Sequence, residues 1–133
     1  MEVKTDTKEK FTVIRVKSIE LTATMAAELN RQMLDLRKGT PGNIVLNLSE
    51  VKNISEEAAE LIVRSQQNFY EHQLSFVICA LTTEVENFLD TKDLLELMNV
   101  TPTESEAYDI VQMEEIEREL LDDDSPCPPE GET

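Results

Sequence analysis

The stretch NIVLNLSEVKNISEEAAELIV, residues 43–63, contains the two patterns that decide the fold. Its first part, NIVLNL, is short, apolar and rich in β-branched residues, which is typical of a buried strand. From Ser55 onward, apolar residues recur at helical spacing, at Ala58, Ile62 and later Phe69, and two glutamates in the first turn suit the positive end of a helix dipole. The segment therefore predicts a buried strand that leads into an amphipathic helix over residues 55–72.

Further strands are predicted on both sides of this segment. The residues FTVIRV, 11–16, are β-branched and aromatic, and a short continuation passes through Ile19 and Leu21. The stretch LSFVICAL, 74–81, is apolar at nearly every position, so we expect a strand covered by helices on one side and by packed neighbours on the other. A last strand is expected near Val100.

Helical periodicity predicts three more helices. The first occupies residues 23–38, with Thr22 as its N-cap and Gly39-Thr40-Pro41-Gly42 as its stop. A short helix is expected over residues 84–89, with a further helical turn after Leu94, and a last helix is expected over residues 104–121. The inner stripe of the last helix is predicted to be Ala107, Ile110, Met113, Ile116 and Leu120.

Strands and helices alternate along most of the chain, which favours an α/β domain. We expect a mixed, mainly parallel sheet of four to five strands with about four helices. The domain is expected to occupy residues 10–121, after an N-terminal extension of residues 1–9. Residues 122–133, DDDSPCPPEGET, contain three of the five prolines and no large apolar side chain, so they predict a disordered acidic tail.

Charge and cysteine content narrow the class of partner and the compartment. The 133 residues include 28 acidic and 12 basic side chains, and the formal net charge of -16 disfavours nucleic acid and anionic membranes as partners. Cys79 lies in an apolar run and Cys127 in the Pro-rich tail, so we expect no disulfide framework and a cytoplasmic location. The first ten residues have no apolar core and the longest apolar stretch is 76–81, so neither a signal peptide nor membrane insertion is predicted.

Residues that could carry catalysis or bind a metal are few. His72 is the single histidine, and it stands at the predicted end of a helix, where its charged form complements the dipole. The three glycines form neither a phosphate-binding loop nor a dinucleotide motif, and the aspartates at 122–124 lack the spacing of a calcium loop. The sequence therefore predicts a protein without enzymatic activity, cofactor or metal site.

Residues 47–58, NLSEVKNISEEA, carry a motif that resembles a known family. The family pattern is D-L-S-x-V-x-F-I-D-S-S-G-L between a buried strand and a helix; residues 47–54 fall on its first eight places and residues 55–58 on D-S-S-G. IELT at 19–22 looks like the family's G-E-L-D turn, and ESEA at 104–107 is similar to the opening of its last helix. The family is the STAS domain of sulphate transporters and anti-sigma factor antagonists, and the resemblance over about residues 10–120 implies its fold.

Glu57 stands where this resemblance implies a phosphorylated serine. In bacterial anti-sigma factor antagonists, a partner kinase phosphorylates the second serine of D-S-S-G, and phosphorylation abolishes binding to that partner. Glu57 cannot be phosphorylated, and it brings one permanent charge where a phosphate brings about two. Either Glu57 imitates the phosphorylated state in part, or Glu56 and Glu57 are ordinary first-turn carboxylates. A one-residue shift would give the serine role to Ser55, which we otherwise expect to be an N-cap, but would misplace Val51 and Ile54.

The resemblance implies a non-enzymatic protein-interaction module of the bacterial cytoplasm, like an anti-sigma factor antagonist without the phosphorylatable serine. The expected partner is an anti-sigma factor or serine kinase-like protein, and the domain itself is expected to be a monomer or weak homodimer. The alternative is a structural STAS subunit of a transporter or another multiprotein complex. The predicted partner-binding surface consists of Glu20, Leu21, Thr22, Ser55, Glu56, Glu57 and Ala58.

Overall fold

The structure is a computed structural model that describes residues 3–39 and 42–124, with side chains described as far as residue 120. Most of the predicted disordered tail, residues 125–133, lies outside the described residues. Its first three residues are helical instead, because the last helix continues through Asp124. Two residues of the predicted stop after the first helix, Thr40 and Pro41, also lie outside the described residues.

The described residues form seven strands and four α-helices. The strands are β1 (Val3–Thr7), β2 (Thr12–Val16), β3 (Glu20–Leu21), β4 (Ile44–Asn47), β5 (Asn53–Ile54), β6 (Phe76–Cys79) and β7 (Val100–Thr101). The helices are α1 (Ala23–Arg37), α2 (Glu56–Glu71), α3 (Thr83–Thr91) and α4 (Glu104–Asp124), with a 3-10 turn at Leu95–Leu97. These elements confirm the predicted α/β class.

Five of the strands form one mixed sheet in the order β1-β2-β4-β6-β7. Strand β1 runs antiparallel to β2, and the other three pairs are parallel. Strands β3 and β5 form a separate parallel pair. The predicted mainly parallel sheet is therefore confirmed, and the carboxyl ends of β2, β4, β6 and β7 lie at one edge of it.

Both faces of the five-stranded sheet are covered, because successive side chains of a strand point to opposite faces. On one face, the larger core joins α1, α2 and α3 to alternate strand residues: Ile14, Val16, Ile44, Leu46, Phe76 and Ile78. On the other face, a smaller core joins Ala107 and Val111 of α4 to the residues in between: Val13, Val45, Val77 and Cys79. The expectation that β6 has helices on one side only is therefore wrong.

Residues 3–7 form a strand of the sheet, so this part of the expected N-terminal extension pairs with the domain. Val3 lies opposite Val16 and Thr7 opposite Thr12, so β1 pairs with β2 along its whole length. Backbone hydrogen bonds hold an edge strand irrespective of its side chains, and only Val3 of this strand packs against the larger core. The sequence VKTDT has too few apolar residues to show the pattern by which strands are predicted.

The predicted inner stripe of α4 is wrong beyond its first turns. Ala107 is fully buried and Ile110 is partly buried against the smaller core, but Met113, Ile116 and Leu120 are exposed by 62, 55 and 59 %. The helix is rotated so that Val111, four positions after Ala107, faces the sheet instead. The apolar residues of the second half of α4 thus face solvent.

Polar contacts replace apolar ones where the second half of α4 meets the sheet. Glu114 accepts hydrogen bonds from the hydroxyls of Ser75 at 2.6 Å and Tyr70 at 2.9 Å. Burial and this carboxylate raise the pKa of Tyr70 to about 12, so its hydroxyl remains a donor. Arg118 donates to Ser75 Oγ at 3.2 Å and Asn43 Oδ1 at 3.4 Å. Hydrogen bonds, rather than apolar packing, fix this part of the helix.

Asn43 is the buried centre of these contacts, so its removal should destabilise the fold. Its Nδ2 donates to Lys10 O at 2.8 Å and Glu115 Oε2 at 2.6 Å, and its Oδ1 accepts from the backbone N–H of Ser75 at 2.8 Å. Asn43→Ala leaves these groups without their partner and should lower the free energy of unfolding by about 2–3 kcal/mol. Urea unfolding measures this change.

The matched control is Asn87→Ala, because Asn87 is exposed on α3. This control should change the free energy of unfolding by less than about 0.5 kcal/mol. Equal effects of the two substitutions would contradict the assigned role of Asn43.

Candidate partner-binding surface

The short pair of strands β3 and β5 brings the two halves of the predicted surface together. Glu20 lies opposite Asn53 and Leu21 opposite Ile54. The backbone N–H of Ser55 donates to Leu21 O at 3.1 Å, which extends the pairing by one residue. Because α1 follows β3 and α2 follows β5 after a single residue, the two helices begin side by side.

Thr22 and Ser55 both serve as N-caps, as predicted. Thr22 Oγ1 accepts a hydrogen bond from the backbone N–H of Met25 at 3.3 Å, and Ser55 Oγ accepts from that of Ala58 at 3.1 Å. Both residues have extended backbone conformations, which N-caps require. The hydroxyl of Ser55 is therefore occupied in starting α2.

Burial separates the seven predicted residues into two groups. Leu21 and Ala58 are buried at 1 and 0 % exposure, so their side chains belong to the core and are not open to a partner. The other five are accessible: Ser55 is half-buried, and the remainder are exposed, namely Glu20, Thr22, Glu56 and Glu57. We call these five the rim.

Ile19 adds an apolar side chain beside the rim that the sequence analysis did not assign to it. It is 63 % exposed, and its carbonyl accepts hydrogen bonds from the backbone N–H groups of Lys52 and Asn53 at 2.7 and 3.0 Å. The backbone of Ile19 is thus fixed while its side chain faces solvent. Periodicity could not reveal this, because Ile19 and Leu21 alternate with Glu20 in the manner of a strand with one buried face.

The two glutamates of the rim differ in their surroundings. Glu56 Oε1 lies 3.9 Å from Lys92 Nζ, which in turn lies 5.8 Å from the centre of the Phe88 ring. Within the part of the chain that the structure describes, the Glu57 carboxylate makes neither a hydrogen bond nor an ion pair. Glu57 therefore presents its charge to solvent from the first turn of α2.

A polar cluster lies on the α4 face of the sheet, next to the loop that leads to the rim. Arg15 donates from Nε and Nη2 to the two carboxylate oxygens of Glu104, both at 2.9 Å. Asn47 Nδ2 and Tyr108 OH donate to the same carboxylate at 2.6 and 2.7 Å. The hydrogen bonds from Arg15, above all, hold the pKa of Glu104 down at about 2. Asn47 Oδ1 also accepts from the backbone N–H of Ser49 at 2.8 Å, so the cluster fixes the start of the loop.

The sequence contained one signal for this cluster. Arg15 stands inside the apolar run FTVIRV, and a charged side chain in a strand of that kind requires a partner when it is partly buried. The identity of the partner could not be predicted, since Glu104 is 89 residues further along the chain.

Comparison with known proteins identifies the family. The family model of the STAS domain matches residues 2–107, which extends from β1 into the second turn of α4. The chain belongs to the STAS domain family. The predicted resemblance to this family is thus confirmed. No curated protein matches the chain.

Solved structures show the same fold at low identity. An anti-sigma-factor antagonist (STAS) domain protein from Planctomyces limnophilus is 21% identical with a TM-score of 0.67, covering 79% of this chain and 93% of that one. The Bacillus cell fate determinant SpoIIAA in its phosphorylated form is 15% identical with a TM-score of 0.61, covering 83% and 99%. The murine anion transporter Slc26a9 is 12% identical with a TM-score of 0.65, covering 81% of this chain but only 18% of that one.

Two further findings concern residues 3–39 and 42–124 alone. None of the helices formed there has both the length and the apolar character needed to cross a membrane. The same residues contain no group of three or more potential metal ligands.

Cys79 is a free, buried thiol, and burial raises its pKa to about 12, so it remains protonated at neutral pH.

The ion pair between Arg15 and Glu104 should make stability depend on pH. The pKa of Glu104 falls from 4.5 to about 2 on folding, so its contribution is complete above pH 4.5 and is lost as the pH falls towards 2. Glu104→Gln should lower the free energy of unfolding by about 1.5–3 kcal/mol at pH 7, and this difference should shrink between pH 4.5 and 2. Urea unfolding at a series of pH values measures it.

Glu50→Gln is the control, because Glu50 forms an exposed ion pair with Lys17 at 2.6 Å. Exposed pairs contribute less than about 1 kcal/mol, so this variant should remain close to the unmodified chain at every pH. A difference for Glu104→Gln that stays constant down to pH 2 would contradict the assigned ion pair.

Proposed function

We propose that this STAS domain is a non-enzymatic interaction module, a cytoplasmic regulator similar to bacterial anti-sigma factor antagonists, and that it docks its partner through the rim. The observation that carries the proposal is the parallel pairing of β3 with β5, which joins the starts of α1 and α2. This pairing presents Glu20, Thr22 and the first turn of α2 on one continuous surface. Leu21 and Ala58 act from below, as core residues that hold the two helix starts in place.

Glu57 gives the rim a fixed charge instead of a switchable one. By the resemblance, its place is that of the serine that a kinase phosphorylates in anti-sigma factor antagonists, and SpoIIAA, which has the same fold, is known in a phosphorylated form. A carboxylate at a helix N-terminus interacts with the same unpaired backbone N–H groups as a phosphate, but with about half its charge. The charge at the start of α2 is therefore intermediate between those of the unphosphorylated and phosphorylated states of such a regulator.

The chemistry of the rim defines its partner. The carboxylates of Glu20, Glu56 and Glu57 are exposed on the rim, and the exposed side chain of Ile19 directly precedes Glu20 in the chain. An apolar side chain bordered by charges fits a partner with a small apolar pocket bordered by lysine or arginine. We propose that this partner is an anti-sigma factor or a serine kinase-like protein, and that the domain binds it as a monomer or weak homodimer.

A second candidate function is that of a permanent structural subunit. The absence of a hydroxyl group at residue 57 favours it, because a subunit that stays assembled needs no phosphorylation switch. The fold also occurs within the murine anion transporter Slc26a9. A regulator and a structural subunit differ in whether a hydroxyl restored at residue 57 becomes a substrate.

The substitution Glu57→Ser tests the regulator directly. Incubated with the anti-sigma serine kinase of the same host and ATP, the variant should gain one phosphate at residue 57. Before phosphorylation it should still bind the kinase, because Glu20 and Glu56 of the rim are unchanged. Mass spectrometry and calorimetry measure the two effects.

Glu57→Ala is the control, since it removes the charge without supplying a hydroxyl, and it should bind as Glu57→Ser does but gain no phosphate. If Glu57→Ser neither binds the kinase nor is phosphorylated, the structural subunit is the better assignment. Phosphate on Ser55 of the unmodified chain would instead contradict the alignment that places Glu57 at the serine.

Charge reversal tests the rim irrespective of which partner binds. Glu56→Lys/Glu57→Lys should reduce recovery of the partner from a host lysate at least about tenfold, because two charges at the centre of the surface change sign. Asp35→Lys/Glu71→Lys makes the same change in net charge at exposed positions on the last turns of α1 and α2. Quantitative mass spectrometry of the recovered proteins should find this control unchanged, and equal recovery with both variants would exclude the rim as the docking surface.

A further inference from the structure

The second half of α4 has its polar and apolar sides reversed relative to an ordinary surface helix. Towards the sheet it presents Glu114, Glu115 and Arg118, each hydrogen-bonded to side chains of the strands or of the residues just before them. Away from the sheet it presents Met113, Ile116 and Leu120. A surface helix normally places its apolar stripe on the core and its charges in water. The apolar residues of this half of α4 therefore have no packing partner among the described residues.

The three outward residues form one continuous stripe. They are spaced by three and four positions, which places them on the same side of a helix, and they are 62, 55 and 59 % exposed. They are three of the five large apolar side chains that are exposed in the described chain; the other two, Ile19 and Leu97, lie on separate elements. We call Met113, Ile116 and Leu120 the outer stripe.

We propose that the outer stripe of α4 binds a basic amphipathic helix of a partner protein. Such a helix would place its own apolar residues against the stripe and its lysines or arginines against the carboxylates beside it. This binding site lies on a helix that covers the opposite face of the sheet from α2, so the proposal is independent of the rim.

Charge is the observation that selects a basic partner. Residues 104–124 contain ten acidic side chains and one basic side chain, Arg118. Asp109, Glu117 and Glu119 are exposed next to the stripe, while Arg118 is turned towards Ser75 and Asn43. A bound helix would therefore meet carboxylates on both sides of the apolar contact, and acidic or neutral helices would lose this attraction.

A second copy of the chain does not fit the outer stripe. Asp109 and Glu106 lie four and seven residues before Met113. At this spacing they continue the line of the outer stripe towards the start of α4. Two copies of α4 packed together would thus bury one short apolar contact and oppose like charges beyond it. The residues 125–133, SPCPPEGET, contain no basic side chain and no large apolar one, so they do not provide the occupant either.

The test uses the full chain and a synthetic helical peptide of about 18 residues, with leucines along one face and lysines elsewhere. Binding is measured by fluorescence anisotropy at low and high salt. The unmodified chain should bind this peptide and should bind it more weakly as salt increases. A peptide with the same leucines and glutamates in place of the lysines should bind at least about tenfold more weakly.

Three variants distinguish the stripe from general attraction to an acidic protein. Met113→Gln/Ile116→Gln/Leu120→Gln keeps the net charge and should weaken binding at least about tenfold. Ile19→Gln/Leu97→Gln removes exposed apolar side chains elsewhere and should leave binding within about twofold. Glu56→Lys/Glu57→Lys should still bind through α4, which separates this result from the test of the rim.

Two outcomes overturn the proposal. Equal binding by the unmodified chain and the triple glutamine variant would show that charge alone attracts the peptide. A dimer in sedimentation analysis that the triple variant abolishes would show that a second copy occupies the stripe. Circular dichroism should give the same melting temperature for the triple variant, because the three side chains face solvent.

Discussion

A parallel pair of two-residue strands, β3 and β5, is the constraint on which the arrangement of the surface depends. Alone, a pair this short has little stability, but here each strand is anchored by a core residue, Leu21 on one side and Ile54 on the other. The N–H of Ser55 then bonds to Leu21 O, so the pairing ends where α2 begins. Two helix starts that are 33 residues apart in sequence thereby become neighbours.

Much of this fold could be predicted because its central strands and first helices obey simple periodicity. Strands β2, β4 and β6 are buried on both faces and read as apolar runs, and Thr22 and Ser55 are residue types that favour N-caps. The family resemblance suggested the seven residues of the predicted partner-binding surface. The burial of Leu21 and Ala58 among them could not be predicted, since a motif assigns residues to a place in the chain without assigning the direction of each side chain.

The wrong predictions for β1 and α4 share one physical cause. In both places, contacts between residues that are distant in sequence determine the structure. Strand β1 is held by backbone pairing with β2 and has no apolar period. Asn43 and Ser75 determine which face of α4 meets the sheet. They immediately precede β4 and β6 and donate hydrogen bonds to Glu115 and Glu114. An apolar stripe predicts the buried face of a helix only when the surface opposite it is apolar.

The bond between Asn47 and Glu104 also has a consequence for evolution. The STAS pattern that residues 47–54 resemble has aspartate at the place of Asn47. In this fold an aspartate there would lose the amide that donates to Glu104 at 2.6 Å and would set two carboxylates side by side. The residue type at position 47 and the residue type at position 104 therefore depend on each other. A lineage that changes one of them is expected to change the other, and such covariation would join the motif before α2 to the first turn of α4.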